Sequence, residues 1–283
     1  MKLNDNWGFI DESGETVIRP QFTGARDFSE GLARVQIGGD KYGLRDQWGF
    51  IDKSGRMVIL PKYDEMHGVG ETSEGFHDGL AMIEVDWSKG FIDKTGKVVI
   101  EPRFEYGTYF IDGLACVSDG ESKKWGYINK TGKWAIPPKF DWACLFSEGL
   151  APVTFKGQCE YINKSGDVVL RPDFETSPDC SIVHGHFTEG LSRWRIGDKY
   201  GYIDNQGNLK IKARFAMTDD FSEELAYVVI NGKYGFIDKT GKLVIKPMYE
   251  RAENFSGGLA RVFTEAGSGY IDKSGEYVWE TKR

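Results

Sequence analysis

Residues 233–250 read KYGFIDKTGKLVIKPMYE. An aromatic–glycine pair opens an apolar run, Asp238 and Gly241 mark a tight turn, a second apolar run follows, and Pro247 stands two residues before Tyr249. Alternating apolar runs joined by an Asp/Gly turn read as a β-hairpin. Nearly the same words recur: WGFIDESGETVIRPQF from Trp7, WGFIDKSGRMVILPKY from Trp48, and SGYIDKSGEYVWE near the end.

The glycine of the pair can be followed as Gly8, Gly49, Gly90, Gly126, Gly201, Gly235 and Gly269, with Glu160 in its place in one copy. The spacings run from 34 to 41 residues. A second marker of the type FSEGLA begins at Phe28, Phe76, Phe110, Phe146, Phe187, Phe221 and Phe255. Self-similarity at this period is the mark of a solenoid, a propeller or an array. The copies span all 283 residues, so the chain reads as one repeat domain: a half-repeat cap over 1–27, then repeats beginning near 28, 76, 110, 146, 187, 221 and 255.

Each unit is expected to hold three strands, of the LARV, WGFID and VVI types, because β-branched and aromatic residues dominate runs of four to six. No stretch keeps the apolar spacing of a helix. The turn has a mechanism: Asp or Asn occurs in all eight copies, with Gly three residues later. Such a side chain can bond the backbone two residues on, and the Gly is free to take positive φ. The strand glycine is expected to lie under an aromatic ring, and the Pro-x-aromatic step to end the third strand. The rings, 14% of the chain, are then core material.

KYGFIDKTGK, VIKPMYE and FSGGLARV together resemble the WG-repeat (KWG-repeat) family, across essentially the whole sequence. The resemblance implies a β-rich repeat protein without an established catalytic activity, and some stand-alone members are similar to immunity proteins that neutralise toxins. It carries no catalytic residues onto this chain. Local departures are Glu160 for Gly, Ala213 for Pro and Glu224 for the second Gly of the marker.

The expected fold is all-β, eight hairpin repeats forming an open superhelical solenoid. A seven- or eight-bladed propeller-like ring is the alternative. Eight hairpins against seven GLA strands leave one hairpin too many for simple ring closure, whereas terminal repeats of a solenoid are expected to be atypical.

A net charge of −7 and a pI near 5.3 argue against nucleic acid as a ligand, which needs an excess of Lys and Arg. A basic protein partner suits this charge. The sequence shows no signal-peptide pattern and no apolar run of membrane-spanning length, so a cytoplasmic address is expected. The four cysteines have no CxxC pairing, and reduced thiols without metal or cofactor are the expectation.

Chemistry is sought where the repeat breaks. The second and fifth intervals are longer before the marker, reading DEMHGVGETSEGFHDGL (64–80) and ETSPDCSIVHGHFTEGL (175–191), and they hold all four histidines. From these loops Glu71, Glu74, His77, Asp179, His184 and His186 are candidate partner contacts. Trp194 and Arg195 in LSRWRIG are candidate anchors, with a core position the competing reading for Trp194. The marker acids and the turn lysines would form an acidic and a basic stripe, which either keep stacked edges soluble or dock a partner. No nucleophile–base arrangement is legible. The expected function is a non-catalytic protein-binding scaffold, in its sharpest form a cytosolic immunity protein that binds a basic toxin domain, with no membrane or nucleic acid involved. A carbohydrate- or cell-surface-binding module and a structural assembly protein are the alternatives.

Overall fold

A computed structural model describes residues 2–3, 5–11, 15–38, 47–64, 75–171 and 185–280. They form eight antiparallel sheets, none closed on itself, and no helix among them is long and apolar enough to cross a membrane. The chain divides into two compact units, 1–140 and 141–283. Four sheets fall in each.

The first sheet is β1 (Lys2–Leu3), β2 (Asn6–Ile10) and β3 (Thr16–Phe22). The second is β4 (Gly24–Ser29), β5 (Leu32–Ile37), β6 (Gln47–Asp52) and β7 (Met57–Tyr63), hydrogen-bonded in sequence order. The remaining six repeat this meander over 76–104, 106–140, 142–170, 191–215, 217–249 and 251–280, the one over 191–215 with three described strands. The complete repeat therefore has four strands where three were expected. The additional one precedes the marker turn and is as short as two residues, Tyr106–Gly107 or Arg251–Ala252. Two residues carry no periodic pattern.

The expected Asx turn is present. In the second sheet Ser54 and Arg56 donate their N–H groups to Asp52 Oδ1 (2.9 and 3.1 Å), and Gly55 donates to the Asp52 carbonyl with φ at 84°. The Ser54 hydroxyl on Asp52 holds that carboxyl below its ordinary range. This aspartate belongs to the turn.

The strand glycine is needed for a different reason from the one expected. Trp48 pairs with Tyr63 and Phe50 with Ile59, so the single residue Gly49 faces three, 60–62. The partner strand bulges over it. A Cβ at Gly49 would lie 2.5 Å from the Ile59 carbonyl oxygen and 2.8 Å from the Pro61 nitrogen. Backbone makes the nearest approaches to this glycine; at Gly269 a ring, that of Tyr277, also lies against it. Proline then sits inside the last strand, at the bulge, where no ladder donor is required. The strand ends at the aromatic two residues later. Ala213 keeps the same bulge, so proline suits the geometry without creating it.

Within each unit successive sheets pack face to face. Between the second and third sheets Leu32, Phe50, Ile59 and Tyr63 meet Phe76, Ala81, Ile83 and Ile92. Phe50 and Phe76 cross edge to face at 4.9 Å, as do Phe91 and Phe110 at 4.8 Å and Phe236 and Phe255 at 4.9 Å. Each such buried ring contributes about 2–3 kcal/mol of apolar burial. The rings are core, as their recurrence suggested.

The two charged stripes bind each other. Glu30 accepts from the Gly79 N–H (3.1 Å) and meets Lys94 Nζ at 3.1 Å. Glu189 accepts from the Glu224 N–H (3.0 Å) and meets Lys239 at 2.9 Å; Glu223 treats Gly258 and Lys273 likewise. Glu30, Glu189 and Glu223 thus each cap the marker turn of the next sheet and neutralise its turn lysine, while Glu148 caps the Gly190 N–H in a sheet whose turn carries Asn205 instead. The marker serine adds a third tie, Ser147 Oγ to the Phe187 carbonyl and Ser222 Oγ to that of Phe255 (2.7 Å each).

Candidate functional site

In the second unit the residues just before successive marker phenylalanines converge on a polar cluster. Cys144 comes from the fifth repeat, Gly185 and His186 from the sixth, and Asp219 and Asp220 from the seventh. Cys144 Sγ lies 3.6 Å from His186 Nε2, and the His186 N–H donates to Asp220 Oδ2 at 3.3 Å. Arg193 links the two aspartates, with Nη1 2.8 Å from Asp219 Oδ1 and Nε 3.5 Å from Asp220 Oδ1. Asn254 Nδ2 donates to Asp219 Oδ2 (3.0 Å).

Two buried tyrosines floor the cluster. Tyr161 donates to the Gly185 carbonyl (3.1 Å) and shares a bond with Ser192 Oγ (2.8 Å). Tyr202 donates to the Asp219 carbonyl (2.6 Å) and also meets Thr218 Oγ1. Burial pushes both phenols well above their ordinary value.

The electrostatics are those of an interior. Burial raises Asp220 to about 6 despite Arg193, and neighbouring Asp219 adds to the rise. Burial also raises the Cys144 thiol, while burial and then the Arg193 charge lower His186. A nucleophilic cysteine needs the opposite pair of shifts, toward thiolate and imidazolium. Here thiol and imidazole are both held neutral. The arrangement suits specific packing of three repeats and a proton on Asp220 better than covalent chemistry.

Of the residues singled out in the sequence, Glu71, Glu74, Asp179 and His184 lie outside the described residues. His77 is in the first unit, half-buried, its ring stacked on Tyr109 at 4.1 Å. His186 is in the cluster of the second. Trp194 is fully buried against Tyr161 (5.9 Å) and offers no ring to a partner. Arg195 donates to the Gly197 carbonyl (3.0 Å) and keeps surface access. Sequence reading missed Cys144, Arg193, Asp219 and Asp220. The available signal was the pair of positions before each marker phenylalanine, which changes from copy to copy beside a nearly constant marker.

Among the described residues no group of three or more His, Cys, Asp or Glu could hold a metal ion. Cys116 and Cys144 are in the thiol form, but Cys159 is disulfide-bonded. This corrects the expectation of reduced thiols, which rested on the absence of a CxxC pair.

No curated protein matches the sequence. A crystal structure of a eukaryotic initiation factor shares the fold at 13% identity and TM-score 0.65, covering 95% of this chain and 81% of that one. Dihydro-heme d1 dehydrogenase NirN in complex with DHE shares it at 12% identity and TM-score 0.57, covering 96% and 70%. At such identities the likeness is one of fold alone. The profile of the WG containing repeat matches residues 7–42, 48–86, 90–121, 125–159, 200–234 and 234–265, passing over the copy that carries Glu160. The chain belongs to the family of proteins built from the WG containing repeat.

Proposed function

We propose that this chain is a non-catalytic protein-binding scaffold. The observation that carries the proposal is how the chemically able residues are engaged. Turn aspartates hold turns, marker acids hold turn lysines, and Cys144 and His186 face each other in neutral forms. What varies between repeats is surface and loop, the part of a repeat protein that contacts partners.

In its sharper form the scaffold is an immunity protein that binds a toxin, with Arg195 and His77 among the contacts. The net charge of −7 favours a basic partner and fast, salt-sensitive association. Because lysines already neutralise much of the acidic stripe, this charge must act through other acids. Co-expression with the product of the adjacent gene in a sensitive cell tests the proposal: rescue of growth with co-purification is expected. Neither rescue nor co-purification would remove the immunity reading.

A second reading, an exported module that binds carbohydrate, draws on two observations. The Cys159 disulfide suits an oxidising compartment. Exposed Tyr106 also stacks with Trp125 at 6.2 Å beside a groove of about 310 Å³. Saturable glycan binding that is lost in Trp125→Ala, together with recovery of the protein outside the cytoplasm, would favour it.

A further inference from the structure

The hairpin of the third sheet, Leu80–Val85 with Ser88–Asp93, breaks the repeat at its tip. Elsewhere Trp or Tyr stands directly before the strand glycine, as Trp7, Trp48, Trp125, Tyr200 and Tyr234. The third sheet has Lys89 in that place, buried against Glu84, and carries a tryptophan two residues earlier, in the turn itself. That residue, Trp87, is 68% exposed.

The turn resists it. Val85 faces Ser88 across the hairpin, and between them Asp86 and Trp87 take φ of 48° and 66°. The matching two-residue turns of the fifth and seventh sheets are Lys156-Gly157 (51° and 75°) and Asn231-Gly232 (51° and 78°). Glycine at the second position is what such a turn prefers, and a bulky side chain in the left-handed region is strained. The third sheet thus bears both backbone strain and exposed apolar surface to hold an indole in water. At that exposure little core packing offsets either. Strain kept at an exposed aromatic residue points to a ligand.

Beside this tip lies the groove of the fourth sheet. Lys89 Nζ is 5.7 Å from the centroid of the Tyr106 ring, and Tyr106 stacks with Trp125. The two sheets pack face to face through Met82 and Phe91 against Phe110, Val117 and Ile128. Their equivalent hairpin ends, 86–87 and 119–124, are therefore neighbours about 10 Å apart. The groove is walled by the Tyr106 and Trp125 rings, with Ser118, Glu105 and Lys123 between and beside them. Among the described residues the side chains of Glu105 and Lys123 make no ion pair.

We infer that Trp87 and the Tyr106–Trp125 groove together bind an oligosaccharide of equatorially substituted pyranose rings, a β-linked glucan being the simplest. The chemistry selects the class. The flat C–H faces of such rings stack on aromatic platforms, and their hydroxyls both donate and accept, matching a carboxylate and an ammonium in one groove. A proline-rich peptide would bring carbonyl acceptors but no N–H at its prolines, leaving Glu105 unmatched. A protein's apolar pocket closing over the tip would desolvate Glu105 and Lys123 instead. The distance from groove to tip is too long for one sugar ring, so the ligand is a chain of them. The inference rests on the carbohydrate reading above and adds its second platform.

The test is isothermal titration calorimetry of the full 283-residue chain with cellohexaose and with glucose. Cellohexaose should bind at least about tenfold more tightly. Trp87→Gly should erase that advantage, leave glucose affinity unchanged and raise the melting temperature, because it restores the residue the turn prefers. Trp87→Tyr should keep most of the advantage. An unchanged cellohexaose affinity in Trp87→Gly overturns the inference, and so does a lower melting temperature, which would make Trp87 a structural residue. If glucose binding depends on Trp125 while Trp87→Gly alters nothing, the inference falls and the carbohydrate reading stands. If neither sugar binds, the inference falls. It falls equally if a protein co-purifies with the parent and not with Trp87→Gly in the absence of sugar binding, since the tip then belongs to a protein interface.

Discussion

The third and fifth sheets each bury a glutamate, and they keep it by opposite means. In the third, Glu84 meets Lys89 Nζ at 3.2 Å, and both side chains are inside, 2% and 4% exposed. In the fifth, Glu160 stands where other copies have glycine, and Arg171 reaches it at 2.6 Å from a side chain that is 63% exposed. One pair is sealed; the other has a partner anchored at the surface. Asp220 shows a third solution, since its carboxyl holds a proton up to about pH 6. Removing a buried charge's partner is costly in proportion to how little water can replace it.

The sealed pair should give the largest effect. Lys89→Met removes the ammonium that faces buried Glu84 and should cost about 3–5 kcal/mol in urea denaturation. The double variant Glu84→Gln with Lys89→Met should recover most of that. A single variant as stable as the parent would mean that water reaches the site.

The proton on Asp220 gives the next effect. Its folded value is raised above the ordinary 3.8, so between about pH 4 and 6 the folded state binds more protons than the unfolded one. The contribution is fully present below pH 4 and is lost as pH rises through about 6, on the order of 2–3 kcal/mol. Asp220→Asn should flatten this slope in melts run from pH 4 to 7. A slope identical in parent and variant would place the titration elsewhere.

Gly49→Ala tests why most sheets cannot carry a side chain where the fifth has Glu160. Its Cβ would strike the bulged Ile59 carbonyl, and a loss of about 1–3 kcal/mol is expected by thermal melting. Arg171→Met should cost less, about 1–2 kcal/mol, because water can follow the departing guanidinium. If the Arg171 variant loses as much as the Lys89 variant, the contrast between sealed and open pairs is wrong. The smallest effect belongs to the intersheet ties: Glu189→Gln should lower the melting temperature slightly at low salt and not at all in molar salt.

The parts of this molecule that were legible in the sequence are those made within one repeat. Asp52 and Gly55 are three residues apart, and their hydrogen bond follows from that spacing. Aromatic recurrence announced the core for the same reason. What escaped was set by pairing across distance. The bulge over Gly49 exists only once Trp48 is known to face Tyr63 and Phe50 to face Ile59. The tie from Glu30 to Lys94 spans 64 residues between their numbers, so each row looked like a stripe and neither looked like half of a pair. The cluster at Cys144, His186 and Asp220 draws one or two residues from each of three repeats, at positions the repeat leaves variable. Arg195 is partly exposed, whereas Trp194, one position earlier on the same strand, points inward.

Within each unit, the marker ties described between successive sheets run in one direction. Within a unit, a sheet such as the sixth offers an acid and a leucine to the next, the fifth and seventh offer a serine, and the seventh presents a lysine and a marker-turn N–H to the one before. A duplicated stretch of gene encoding one whole repeat would therefore supply a sheet already complementary to both of its new neighbours. Gain or loss by whole repeats is then the cheap mutation, and a change of one or two residues in spacing the expensive one.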